Sequence, residues 1–365
     1  MKKKLVEIFV ILTILFYFVI PGFAYPQANF FTFKGNFQRT GYTNADIRGN
    51  FAKVWTVENI PFIKEIDFVN NSLIVLTKKC EIISINEVTK EKNWIYKTYS
   101  EITSKPTYYE GKIYFGTFEG RLICLNWLNG KELWSYPLFG SIHTSPLIFG
   151  NSLIVGSENG KLYSFDRISG GKLWEYKASG AVESSSATCG KYIYFGSSGG
   201  TFYCLTQNGR LKWKFEAFGT IVSTPAVTDD YLTFTTYEGS IYCLNKEGKI
   251  LWQKTISPYI ISSPTAYEGI VYQTFSDGKL YAFNLKNGSI LWFSALQKSN
   301  TTPIITKNLL LYESSLKWLN LIDRKSGKLV KQYEELKEGI IDYAISQNSI
   351  FLLTGTGKII KYDTF

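Results

Sequence analysis

The sequence predicts an all-β protein, an eight-bladed β-propeller of four-stranded antiparallel blades closed by its own N-terminal strand. Three observations predict it. Tryptophans fall at 55, 94, 134, 174, 213, 252 and 292, with gaps of 39, 40, 40, 39, 39 and 40. A period near 40 marks a propeller or an array and overrides the usual allowance of about 150 residues per domain. Each period holds four short β-rich segments separated by Gly-containing turns, the signature of a meander. The chain also shows a matching deficit at its two ends.

Taken in order, the chain opens on Lys2, Lys3 and Lys4, an apolar stretch from Leu5 to Ile20, and the small-residue segment Pro21-Gly22-Phe23-Ala24. This reads as a secretory signal over residues 1–24, cleaved after Ala24. The alternative is an uncleaved anchor, although the run is short against the ~20 residues of a spanning helix. No cysteine precedes Cys80, so no lipid-acceptor cysteine is present. Residues 25–51 read as a lead-in, and 52–365 as the propeller.

The blade ending at Trp134 shows the unit. Ser104–Tyr109, Lys112–Thr117, Arg121–Asn126 and Lys131–Trp134 are its strands, with turns at Glu119-Gly120 and Asn129-Gly130. Third strands such as Leu162-Tyr163-Ser164-Phe165 and Ile241-Tyr242-Cys243-Leu244 are apolar on both faces, so neighbouring sheets must cover them. Cys124, Cys204 and Cys243 share this slot with Ser164 and Ala282 and read as small buried residues in separate blades. An eighth fourth-strand slot falls on Lys331. After it only three strands fit, while Ala52–Thr56 is a fourth strand without a blade. Pairing Ala52–Thr56 beside Lys358–Tyr362 would close the ring and remove the open sheet edges.

Composition bounds the chemistry. With one histidine, His143, and five dispersed cysteines, multi-His metal centres, zinc ribbons and thioredoxin-like motifs are excluded. The formal charge of +10 falls to +8, 37 basic against 29 acidic residues, once residues 1–24 are removed. The basic residues are scattered through turns and read as solvated surface, with no nucleic-acid footprint. Gly196-Ser197-Ser198-Gly199-Gly200 fits G-x-S-x-G, but a nucleophile elbow needs a strand–turn–helix, and here two strands flank it. Asn126, Asp166, Asn245, Asn284 and Asp323 read as turn-capping residues. His143 and the small polar residues Ser104, Thr144, Ser184, Ser223, Ser262 and Thr301 sit at the inner-strand entrances and are candidates for a polar channel rim that takes a ligand or peptide.

The unit Ser/Thr-Pro, Tyr-x-Gly-Ser, Gly-x-Leu-Tyr-x-Leu-Asn/Asp and Gly-Lys-x-x-Trp resembles the repeat of PQQ-like (quinoprotein alcohol dehydrogenase-like) propellers. Phe33–Gly41 is similar to that family's lead-in, and the likeness covers about residues 30–365. It implies that Trp55, Trp94, Trp134, Trp174, Trp213, Trp252 and Trp292 dock each blade against its neighbour, near that blade's turn glycine. Lys331 departs from this pattern, as does Lys90, which replaces the glycine before Trp94. Quinoprotein dehydrogenases of the family carry adjacent cysteines, a calcium site and a catalytic aspartate, none of which can be placed here. No catalytic, metal or cofactor residue is therefore assigned, and no cofactor is expected.

In size and blade number the chain is similar to BamB-type outer-membrane assembly factors. That resemblance implies a monomeric, exported, non-catalytic scaffold, periplasmic or extracellular, whose partners are envelope or outer-membrane proteins or peptides. Membrane contact would come only through an uncleaved N-terminal segment or a partner. The alternatives are a small quinoprotein-type dehydrogenase and an envelope glycan binder using Trp127 and Trp318, read as exposed aromatics. Trp174→Ala is expected to destabilise strongly, and Trp127→Ala, placed in a turn, to cost little.

Overall fold

Strand-forming residues at a 40-residue period build eight antiparallel four-stranded blades, with Phe30–Phe31 added as a fifth strand to the second, in the computed structural model. It describes residues 30–31, 34–58, 60–256, 258–260, 262–295, 301–314, 316, 318–333 and 339–365. The segment 1–24 read as a signal lies outside them. Blade 1 runs Ile63–Val69, Ser72–Thr77, Glu81–Asn86 and Lys92–Lys97. Six further blades repeat the meander, and blade 7 ends on Leu329–Tyr333. Blade 8 combines Ile340–Ile345, Ser349–Thr354 and Ile359–Thr364 with the N-terminal strand Phe51–Val57. The closing register pairs Phe51 with Thr364, Lys53 with Tyr362 and Thr56 with Ile360. The ring is thus shut by backbone hydrogen bonds between the two ends of the chain.

The third strands are buried across their centres, because each sheet face packs on the next blade. Phe202 of blade 4 stacks on Phe234 of blade 5 with ring centroids 4.3 Å apart and planes 6° from parallel. At the small-residue slot, Cys124, Cys204 and Cys243 are fully buried and unpaired. Burial pushes each thiol up to about 12. In an apolar surround the thiolate loses its hydration.

The fourth-strand tryptophans join the blades. Trp174 lies on Gly209 of the next blade, and its Nε1 donates to Gln207 O at 2.9 Å. Gly209 has φ +74°, and a Cβ there would fall 2.6 Å from the Trp174 ring. Glycine thus meets two demands, a left-handed turn and the close approach of an indole. Trp94, Trp134, Trp213, Trp252 and Trp292 sit in the same way on Gly130, Gly170, Gly248, Gly288 and Gly327. At the first junction Lys90 occupies the glycine slot with φ +62°, and its ammonium lies 5.8 Å from the Trp55 ring centroid. Lys331, in the eighth slot, turns over Tyr333.

Trp127 differs from its sequence reading. It is 8% exposed, edge-on to Tyr108 at 4.7 Å and to Trp94 at 6.4 Å. Its carbonyl accepts the Trp94 indole N–H at 2.7 Å. The turn that carries it folds back beneath the docking tryptophan of the preceding blade, so the ring is core. Trp318 is half-buried. Trp127 therefore offers no open aromatic platform on which a glycan could stack.

Candidate functional site

Topology gives the disc two chemically different faces. In a four-stranded meander the 1–2 and 3–4 turns lie at one end, the turn face. The 2–3 turns and the interblade linkers lie at the other, the linker face. The sheet order of every blade is this meander.

The lead-in seals the axis at the turn face. First strands have an unpaired inner edge, whose N–H groups need partners. The lead-in supplies them in succession. Phe37 O accepts from Thr188 N, Gln38 O from Val227 N, Thr40 O from Ala266 N and Gly41 O from Ile305 N, at 2.7–2.9 Å. Asp46 N then donates to Gln347 O at 2.8 Å. The segment therefore crosses blades 4 to 8. Arg39 points inward, fully buried, and its guanidinium donates to Ser186 O, Ser145 O and Pro146 O at 3.1–3.2 Å. Burial lowers it to about 9, as removal from water disfavours a charge. Lys34 donates to Thr224 O and Pro264 O. Its ammonium is held well below the usual lysine range by burial and then by Arg39.

The opposite mouth is open. A cavity of about 440 Å³ on the linker face is lined by Lys64, Thr103, His143 and Glu183 at its entrance and by Ser145, Ser185, Thr224, Ser263 and Thr302 within. These inner hydroxyls knit the blades. Ser185 Oγ accepts from Ser145 N at 2.9 Å, Ser263 Oγ from Thr224 N at 3.0 Å, and Thr302 Oγ1 from Ser263 N at 3.0 Å. A deeper cavity of about 400 Å³ extends to Lys34 and Gly41 of the lead-in.

Of the residues proposed from sequence for the rim, His143 and Thr301 line the cavities, and the other five lie one position away from the lining. Ser104, Thr144, Ser184, Ser223 and Ser262 are buried and bond their own blade's second strand. Ser104 Oγ accepts from Gly116 N at 2.7 Å, Thr144 Oγ1 from Gly156 N at 2.9 Å and Ser223 Oγ from Thr235 N at 2.9 Å. Ser184 Oγ accepts from Gly196 N at 3.3 Å, and Ser262 Oγ donates to Thr274 O at 3.0 Å. Neighbouring side chains of an extended strand point to opposite sides, so a one-residue offset moves the row from the channel into the sheet. Thr301 borders the deeper cavity and donates to Glu313 O. His143 is at the mouth, with Nε2 2.8 Å from Glu158 Oε1.

A charged cluster from blades 1, 2 and 8 lines one side of the funnel. Lys105 Nζ lies 2.9 Å from Glu65 and 4.0 Å from Asp342. Asp342 Oδ2 accepts from Ile66 N at 2.8 Å. Burial raises Asp342 to about 6 against the opposing pull of Lys105, and raises Asp67 well above the carboxylate range. Burial penalises the Lys105 ammonium, but Asp342, Glu65 and Asp67 together outweigh it and hold its pKa above the ordinary lysine value.

A quinone cofactor with its metal does not fit this funnel. Lys105 pairs with Glu65 and lies near Asp342, and no group of metal-ligating side chains forms among the described residues. Ser197 and Ser198 join Tyr192–Gly196 to Thr201–Thr206 in a hairpin, which is not the geometry of a nucleophile elbow.

The linker face also carries large exposed apolar side chains. Phe62, Tyr99, Phe118, Phe139, Phe218 and Tyr237 are all exposed, and all lie in linkers or 2–3 turns. Tyr99, Phe139 and Phe218 share one slot, five residues after a docking tryptophan. The repeat alignment could have found them. They escape notice because the other blades hold Ser179, Ser257 and Gln297 there.

Three overlapping segments, 52–217, 169–306 and 206–338, match the PQQ-repeat family model described as outer membrane protein assembly factor BamB. Among solved structures, BamB from Moraxella catarrhalis is 18% identical, with 86% of this chain and 100% of that one covered and a TM-score of 0.72. The computationally designed Ika8 protein is 16% identical over 83% of this chain and 96% of its own, at TM-score 0.72. A europium-containing methanol dehydrogenase is 13% identical over 91% and 90%, at TM-score 0.77. No curated protein matches the chain. At these identities the structures show a shared fold, which BamB, a designed protein and a dehydrogenase all use.

Proposed function

The chain belongs to the PQQ-like propeller family whose model is described as outer membrane protein assembly factor BamB, and on that premise we propose that it is an exported, non-catalytic scaffold of the cell envelope. Its partner is an envelope or outer-membrane protein, and outer-membrane protein assembly is the process in which it takes part. The observation that carries this reading is the set of exposed aromatic side chains on the linker face. Phe139 and Phe218 are 88% and 79% exposed, and they lie in linkers on the face where the polar funnel opens. Exposed apolar side chains gathered on one face mark an interaction site. Aromatic side chains are the residues that anchor such contacts.

A photo-reactive amino acid placed in intact cells at position 139 or 218 tests the assignment. Discrete protein adducts are expected at both positions. The same probe at Leu133 on the outer rim, or at Ile168 on the turn face, should give none. Equal adducts at all four positions, or none at 139 and 218, would remove the linker face as the docking surface.

A further inference from the structure

The basic residues that look scattered along the sequence are gathered by the fold. The seven 3–4 turns within the continuous repeat carry ten Lys/Arg and three Asp/Glu. All seven lie on the turn face. Nearer the axis on that face, the 1–2 turns hold two basic and four acidic residues, while the 2–3 turns of the linker face hold four of each. Arg167 and Arg324 are buried and paired with Glu110 and Glu268, so it is the remaining, exposed cations that give these turns an outer arc of positive charge on one side of the disc. Lys131, Arg210, Lys249 and Lys328 are exposed members of that arc. Each follows a docking glycine, so the turn that receives a tryptophan also presents a cation.

A second feature shares these turns. The residue at the tip is Val88 in blade 1, Leu128 in blade 2 and Ile168 in blade 3, exposed by 74%, 82% and 57%. Blades 4 to 7 place Asn208, Glu247, Lys286 and Lys325 at the same slot. The apolar tips thus occupy three consecutive blades. The N-terminal chain enters beside the middle one, where Phe30 pairs with Tyr109 and Phe31 with Tyr108. Tyr109 is the last residue of its strand before the 1–2 turn, so the described chain begins on the turn face. Ahead of it in the sequence come three lysines and the apolar run Leu5–Ile20.

We propose that the turn face is a membrane-apposition surface. Blades 1 to 3 dip Val88, Leu128 and Ile168 into the headgroup region of an anionic bilayer, and the basic 3–4 turns bind its phosphates. Interfacial binding of this kind adds buried apolar area to attraction for anionic lipid. Cations and aliphatic tips set side by side in one flat circle of turns, on the face where the described chain begins, match a planar anionic surface better than a linear polyanion. The linker face is then directed away from the bilayer.

The test is co-sedimentation of the full chain with vesicles of phosphatidylcholine, alone or with about one-third phosphatidylglycerol. At about one kcal/mol per basic residue near an anionic surface, converted to a ratio, Lys131→Gln/Arg210→Gln/Lys249→Gln should lower the anionic-vesicle partition roughly a hundredfold. Leu128→Asp/Ile168→Asp should lower it about tenfold or more. Lys78→Gln/Lys79→Gln on the linker face should change it less than about twofold, and wild-type binding should weaken in high salt. Melting curves matched to wild type show that the variants are folded. Equal wild-type binding to neutral and anionic vesicles would overturn the proposal. So would a linker-face control that loses as much, or retention on immobilised heparin or DNA with no vesicle binding.

Discussion

Trp127→Ala is expected to cost about 3–5 kcal/mol, as much as Trp94→Ala and far more than its position in a turn suggests. The two rings meet edge to face, and Trp127 also packs edge-on against Tyr108. Truncating either ring leaves a cavity at the junction of blades 1 and 2 that the rigid turn around Gly130 cannot collapse. The neighbouring Leu128→Ala removes a side chain that projects into solvent, and should stay within about 0.5 kcal/mol of wild type. Denaturant unfolding of the three variants is the check. A Trp127→Ala midpoint matching that of Leu128→Ala would show that the turn is not part of the interblade core. Trp174→Ala removes the equivalent dock on Gly209, where the ring is only half-buried, so its effect should be smaller than that of Trp94→Ala.

Stability should also carry a titration that belongs to Asp342. Its carboxyl is held at about 6 in the folded protein, first by burial and with Glu65 adding to the rise. The folded state therefore holds a proton more tightly than the unfolded chain, in which an aspartate titrates near 3.9. A raised carboxylate pKa means that stability falls as pH rises, beginning near the unfolded value and complete above the folded one. A shift of this size corresponds to about 3 kcal/mol between pH 4 and 7. Asp67 acts in the same direction. Lys105, raised, contributes stability that is fully present across this range and is lost only in strong alkali. Surface carboxylates lowered by ion pairs, such as Glu175 beside Lys161 and Lys172, slope the opposite way. The informative quantity is therefore a difference. Asp342→Asn keeps an acceptor for Ile66 N–H and loses the titration, so it should gain on wild type steadily from pH 4 to 7. A flat difference curve would place the Asp342 carboxyl in its ordinary range.

Much of this was legible in the sequence, for physical reasons. Trp94, Trp134, Trp174, Trp213, Trp252 and Trp292 repeat because each must meet a glycine turn one blade on. The closing pair of Phe51–Val57 with Ile359–Thr364 follows from counting strands against those slots. What escaped was whatever depends on direction and not on period. Period alone puts His143 and Thr301 at the cavities but misses Ser145, Ser185, Thr224 and Ser263, because strand alternation decides which of Thr144 and Ser145 faces the axis. Trp127 was read as exposed because its turn folds under a neighbour that is 33 residues away in sequence. The 3–4 turn cations looked scattered because only the meander topology gathers them on one face. The lead-in gave no periodic signal of its sealing role, which rests on Lys34 and Arg39 finding carbonyls of distant blades.

On the proposed function, this propeller works by recognition and not by redox chemistry. Titration of the purified protein with PQQ and Ca²⁺, followed by dye-linked turnover on alcohols and aldoses, tests that claim most directly. Quinone catalysis needs the cofactor held and polarised with a positioned base beside it. Here Lys105 pairs with Glu65 beside Asp342, no group of metal-ligating side chains forms among the described residues, and the lead-in closes the axis. The expected result is no saturable PQQ binding and no turnover above the protein-free control. Saturable PQQ binding accompanied by Ca²⁺-dependent turnover would contradict the scaffold reading and make the chain a small quinoprotein dehydrogenase.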